Sequence, residues 1–303
     1  MLNNIINWVN KKGHVQGIFW TISSCFFSNV CDVLVRCLGV SLPAMEITFF
    51  RLFFGALLLL PIVLKQGKTA FRINNKRWHL VRVIVGFGAM ACWVYGASIT
   101  SLPSITTISF ACPLFVLPLA YLFLGEKSDW RRVLSVVFGF LGVIIIAIFE
   151  GNEATAFNYF SIHLGVSYLL VAAILFAFSD VLNKKMIATE SLVSLLFYFY
   201  FGTTLLAIVP ALVVWQGVAL KDLFGLLLLG ASGILVLYCI LRAVESTEIA
   251  SVAPYKYIEL IFSIVIGYFL FNELIKLPTL IGAALIIPSS FLIAYHEVYR
   301  KRG

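Results

Sequence analysis

The chain has 303 residues, 61% hydrophobic and only 12% charged, about half the charged share of an ordinary soluble protein. A mean hydropathy of +1.02 excludes a surface that must face water throughout and marks a polytopic membrane protein. The formal net charge of +8 does not point to nucleic acid, because the basic residues sit in short loops between apolar stretches, as membrane orientation requires.

A helix needs about 20 apolar residues to cross the hydrocarbon core. That length predicts ten spans: 16–39, 44–64, 79–100, 103–124, 130–149, 163–186, 193–215, 222–241, 250–271 and 278–296. Of 22 Lys and Arg, four (Arg36, Arg51, Arg82, Lys256) lie within spans. Only Lys221 and Lys276 fall on the side opposite the N-terminus, and the other sixteen fall on its own side. Both termini are therefore expected on the cytoplasmic side of the membrane. The acidic 150–162 loop, with Glu150 and Glu153, is expected outside.

The N-terminal Lys11 and Lys12 precede an apolar stretch without a small-residue cleavage site, so that stretch is expected to remain as the first helix. Along it Thr21, Ser24, Ser28, Asp32 and Arg36 recur every three or four residues, a polar stripe that must face a cavity or another helix. Across the tight 40–43 connection, depth suggests two antiparallel ion pairs, Asp32–Arg51 and Arg36–Glu46. Two roles remain open for them, a structural clamp and a contact with substrate. In-span charge costs about 2.5 to 3.5 kcal/mol on the mildest scale, so each such residue needs a partner or water.

The third span is glycine-rich and carries Trp93 and Tyr95, deep aromatic groups with polar atoms to satisfy. Pro113 and Pro118 are expected to kink or open the fourth helix. Gly86-Phe87-Gly88 and Gly230-Ala231-Ser232-Gly233 read as sites of close helix packing. In the ninth span Ser251, Tyr255, Glu259, Ser263 and Gly267 recur every four residues. Lys256 lies three before Glu259, within reach on a helix. A bracing Lys–Glu pair and a substrate site are both compatible with this face, to which Tyr257 is adjacent. The six cysteines all lie in apolar stretches without ligand spacing and read as packing residues.

Gly17 and Gly165 are 148 residues apart, as are Asp32 and Asp180, while Glu126 and Glu273 are 147 apart. Five helices per half is an odd number, so a second copy would enter from the opposite side. The expected fold class is an all-α integral membrane protein, ten transmembrane helices forming two inverted five-helix repeats, 1–149 and 163–303.

Residues 250–293 combine a small-residue stretch, Pro254-Tyr255-Lys256-Tyr257, a helix ending in Phe271-Asn272-Glu273, and Ile281-Gly282-Ala283-Ala284-Leu285-Ile286. The first half carries SLPSITTISFACPLFVLPLAYLFLGEK (101–127) and FGFLGVIII (138–146), with Arg51 in FFRLFFGALLLL. This pattern resembles the EamA-type repeats of the drug/metabolite transporter superfamily, over nearly the whole chain. Within it the chain is similar to S-adenosylmethionine uptake carriers. The resemblance implies a secondary transporter of a small polar metabolite in a bacterial inner membrane, driven by exchange against an internal metabolite or by an ion gradient, with no cofactor, metal or enzymatic role. The substrate candidates are Glu259, Tyr255, Lys256, Tyr257, Trp93, Tyr95, Asp32 and Asp180. The partners expected are a small-molecule substrate and the lipid bilayer, not nucleic acid.

An exporter of amino acids or drugs with the same fold is the main alternative. Gly230-Ala231-Ser232-Gly233 also has the spacing of an intramembrane serine protease, but its only histidine in the required helix, His296, lies about 14 Å away along the helix axis, beyond hydrogen-bond reach. No GxxxxGK[ST] stands in the sequence for an ATP-driven pump.

Overall fold

A computed structural model describes residues 13–67, 71, 73–109, 111–124, 137–138, 141–142, 144–145, 156–186, 189–246, 255–256, 258–273, 277 and 279–288. Every regular element among them is helical. The helices are α1 (His14–Leu38), α2 (Ala44–Gln66), α3 (Lys76–Ile99), α4 (Leu102–Ser109), α5 (Cys112–Leu124), α6 (Ala156–Met186), α7 (Leu192–Val213), α8 (Leu220–Ser246), α9 (Ile258–Phe271) and α10 (Thr279–Pro288). Six of them, α1 to α3 and α6 to α8, are long and apolar enough to cross a membrane. Leu57, Leu60, Leu64, Val209, Leu212 and Phe224 point outward and exposed, as lipid-facing side chains do and core side chains of a soluble bundle do not.

Five predicted spans, the first, second, third, seventh and eighth, reappear with ends moved by a few residues, and three differ in kind. The fourth span is two helices, with α4 ending at Ser109 and α5 starting at Cys112. Pro113 has no amide hydrogen, and its ring would meet the carbonyl four residues back, at Ser109. The segment 156–162, expected in the outer loop, is the first part of α6. Finally, α9 starts at Ile258, preceded by a 3₁₀ turn at 255–256. Tyr255 and Lys256 therefore sit before the helix and do not extend its Glu259–Ser263–Gly267 face. The fifth predicted span is described only in fragments, and Ser251, Tyr257, Glu126, Glu150, Glu153 and the first twelve residues lie outside the described residues.

Packing follows a simple exchange. α1 packs on α8 and α6 packs on α3; α2 packs on α8 and α7 on α3; α9 packs on α1 while α5 packs on α6; α2 meets α7 and α4 meets α9. Small residues allow the closest of these approaches. A Cβ on Gly230 would come within 2.6 Å of Phe54 Cβ and 3.0 Å of the Gly55 amide nitrogen, so α8 meets α2 almost backbone to backbone. Gly86 likewise leaves room for the Phe199 ring.

The ends are tied by polar contacts. At the start of α3, Asn75 caps the helix by accepting the Trp78 N–H. The amides of Asn74 and Asn75 donate to Glu190 Oε1 at 2.8 and 3.2 Å, and His79 lies 3.5 Å from the same oxygen. This fastens the α6–α7 connection to α3. At the other end of the bundle, Arg36 pairs with Glu273, whose Oε2 accepts the Leu102 N–H at 3.1 Å. The expected Arg36–Glu46 pair is therefore replaced. Glu46 instead accepts the Gln216 N–H at 3.2 Å, because α2 packs against α7 and its following loop.

Candidate functional site

The polar stripe of α1 faces inward, as its spacing required. Thr21, Ser24, Asn29 and Asp32 are buried. Thr21 and Ser24 hydroxyls donate to carbonyls within α1, satisfying themselves locally. Asn29 reaches out, and its Nδ2 donates to the Glu259 carbonyl at 3.2 Å as well as to Cys25 O at 3.0 Å. The Cys25 thiol points to Lys256 O at 3.7 Å. These contacts hold the first turn of α9 against the middle of α1.

That first turn carries Glu259. Its carboxylate lies close to Ser28 of α1 and within charge range of Lys256. The helix N-terminus adds partial positive charge where the carboxylate sits. Asp32 is one step farther along α1, and its charge interacts with those of Glu259 and Arg51.

Asp32 and Arg51 do not form the direct ion pair that their matching depth suggested. The Arg51 guanidinium lies over the Trp93 ring, 4.5 Å from its centroid. It is kept there by what surrounds it: a Cβ on Gly233 would lie 3.3 Å from Arg51 Nε and 3.4 Å from the Tyr200 hydroxyl. Among the described residues Asp32 Oδ1, Arg51 Nε and Arg51 Nη1 are buried without a hydrogen-bond partner. Beneath them the Cys31 thiol donates to Ser232 Oγ at 3.3 Å, and Ser232 donates to Leu228 O at 2.7 Å. Ser232 is thus occupied in packing α8 against α1.

A second group lies between α3 and α6. Arg82 Nη1 donates to Leu195 O at 2.7 Å, Nε donates to Asn183 Oδ1, and the guanidinium rests 5.0 Å above the Phe199 ring. Asp180 lies within charge range of Arg82 and Lys256. It keeps accessible surface. Lys256, itself exposed, acts on both Glu259 and Asp180 and so links the two groups.

Of the sequence candidates, the structure gathers Asp32, Glu259, Lys256 and Trp93 into one connected region, with Asp180 reached through Lys256. Tyr95 is placed elsewhere, its ring 4.5 Å from that of Tyr168 where α3 meets α6. Tyr255 is half-buried beside Lys256. Sequence reasoning did not select Arg82 or Tyr200. Arg82 carried a usable signal, an unpaired charge inside an apolar span; Tyr200 carried none, being one aromatic in a run of them.

Buried opposite charges with an aromatic ring beside them suit a polar solute that must leave water. Known proteins point the same way. Residues 15–148 and 163–295 each match the EamA-like transporter family. The chain is 38% identical over 286 residues to a Rickettsia bellii protein named "S-adenosylmethionine uptake transporter", covering 94% of this chain and 96% of that one. The Rickettsia prowazekii protein of the same name is 36% identical, covering 94% and 95%. At 26% identity, the Pseudomonas aeruginosa "Pseudopaline exporter CntI" covers 90% of this chain and 93% of its own. A solved crystal structure aligns with a TM-score of 0.65 at 14% identity over 95% of this chain and 99% of its own, a likeness of fold alone.

Proposed function

The chain belongs to the EamA-like transporter family, and from that premise we propose that it takes up S-adenosylmethionine across the bacterial inner membrane by alternating access. The family is one of carriers, and the chain is not an enzyme. The relatives named for S-adenosylmethionine uptake align over almost their full length, which supports the substrate. The observation that carries the reading is the buried pair of opposite charges Asp32 and Arg51, with Glu259 in charge range of Asp32 and Trp93 beneath the Arg51 guanidinium.

S-adenosylmethionine carries a sulfonium, an ammonium and a carboxylate. An aromatic face attracts a desolvated cation by about 2 kcal/mol, whereas micromolar binding needs about 8 kcal/mol. Carboxylates must supply most of the difference. Glu259 is the group for the sulfonium: it sits at the start of α9, which packs on α1, the helix that also bears Asp32.

The ten spans are read as two inverted repeats, 1–149 and 163–303, joined by the outer segment 150–162. Supporting this, the partner exchange of α1–α8 with α6–α3 and of α2–α8 with α7–α3 follows a two-fold relation between the halves. Excess Lys and Arg on the N-terminal side supports both termini being cytoplasmic. The cavity then lies at the repeat interface, where inverted-repeat carriers place their substrate. Exchange or an ion gradient supplies the energy, with no nucleotide hydrolysis.

Sealed vesicles loaded with unlabelled S-adenosylmethionine and given the radiolabelled compound outside test this directly. Saturable uptake, competed by S-adenosylhomocysteine and abolished or strongly weakened by Glu259→Gln with normal insertion, is expected. Normal transport by Glu259→Gln would remove that residue from the site. Efflux of amino acids without S-adenosylmethionine uptake would favour the exporter reading, which the 26% identity to an exporter keeps in play.

A further inference from the structure

Arg51 and Asp32 are a mismatch in their present arrangement. Each is more than nine-tenths buried, at 6% and 2% exposure. Each lies inside a long helix, about two turns from its nearer end, where an unpaired charge is costly. They sense one another as charges yet make no direct ion pair, and Arg51 Nε, Arg51 Nη1 and Asp32 Oδ1 have no hydrogen-bond partner among the described residues. Their positions are held by other contacts. Trp93 lies beneath the guanidinium, and Gly233 and Tyr200 define the space beside it.

A guanidinium is a planar fork that fits a carboxylate through two parallel hydrogen bonds. An α-amino acid carries a carboxylate and an ammonium one carbon apart, so a single such group placed between Arg51 and Asp32 satisfies both at once. Glu259, which also acts on Asp32, is left for a further positive charge. Resting on the uptake reading above, we infer that Arg51 and Asp32 form a receptor for the α-amino acid end of the substrate, with Arg51 holding the carboxylate and Asp32 the ammonium. Arg51 is then a specificity-determining residue and not a hairpin clamp. The site demands a zwitterionic end in addition to a cation.

The test compares S-adenosylmethionine with its decarboxylated form, which keeps the sulfonium and the amine, by calorimetry on protein purified into lipid nanodiscs. The unaltered protein should bind the carboxylated compound on the order of 100-fold more tightly. Arg51→Gln should collapse that preference to within about threefold, and Arg51→Lys, which keeps the charge but loses the fork and is the gentler change for folding, should lower it about tenfold. Equal binding of the two compounds by the unaltered protein overturns the inference while leaving uptake intact. So does a folded Arg51→Lys or Arg51→Gln with undiminished preference. If neither sulfonium binds but methionine does, and its decarboxylated amine does not, the receptor stands and the S-adenosylmethionine reading falls. If no α-amino acid binds, both fall.

Discussion

Glu273 does two jobs with one carboxylate: one oxygen pairs with Arg36 and the other accepts the Leu102 amide that begins α4. Removing it frees a cation and an orphan helix-terminal donor together. The pair is only partly shielded, at 24% and 14% side-chain exposure, so its worth lies between an exposed pair and a buried one, about 1 to 3 kcal/mol. Glu273→Gln, which can still accept the amide, should lower the thermal midpoint of the purified protein less than Glu273→Ala. A combined Arg36→Glu, Glu273→Arg exchange should recover part of the loss from Arg36→Glu alone, read by the same melts. Sequence spacing found Arg36 and Glu273 separately and misassigned the partner. Glu46 was near Arg36 in depth, and depth says nothing about which side of a helix a residue faces. Glu273 comes from more than two hundred residues away, a distance that only the tertiary fold closes.

At the scale of elements, two interruptions stand at related places. α5 starts at Cys112 and α9 at Ile258, a separation close to that of Glu126 and Glu273, and both starts fall well inside predicted spans. Proline chemistry announced the first. The second was harder to see, because Tyr255, Glu259, Ser263 and Gly267 keep a four-residue period through it, and a period cannot reveal where helical hydrogen bonding stops. Joining α4 and α5 should be possible with Pro113→Ala, which restores an amide donor opposite Ser109. This variant is expected to show slower hydrogen exchange around 109–114 and, if the break serves transport, an uptake rate reduced several-fold. Where helices do pass closely, the tolerance is opposite: Gly230→Leu would drive a branched side chain into Phe54 and the α2 backbone. A loss of about 1 to 3 kcal/mol is expected for such overpacking, or failure to yield a monodisperse protein, with Gly225→Ala as a milder control because Leu38 atoms there stand at 3.3 Å or more.

For the whole molecule, the long spans, their inward and outward faces and the family were legible because lipid imposes length and hydrophobicity on every crossing segment. The connections across the bundle were not, since an apolar span carries little information about its neighbours. Cysteine chemistry offers a check on the cavity. Cys25 and Cys31 are buried against α9 and α8, so membrane-permeant thiol reagents should label them slowly, and bound substrate should slow Cys25 further by holding α9 on α1. Labelling of Cys25 unchanged by substrate would place the substrate away from that contact.

Asp32 and Asp180 stand equally far into the two segments that match the family, yet Asp32 is buried while Asp180 keeps accessible surface. Under the proposed orientation the buried acid belongs to the extracellular half and the accessible one to the cytoplasmic half. The described form is then one in which a solute arrives from, or departs to, the cell interior. A carrier that rests this way must turn over empty before it can capture its next passenger outside, and a slow empty return would set its pace. Loading the interior with an exchangeable solute lets the return trip be made full. Preloaded vesicles should therefore take up labelled S-adenosylmethionine several-fold faster than empty ones during the first minutes. Equal initial rates would mean that the outward turn is not the slow leg of the cycle.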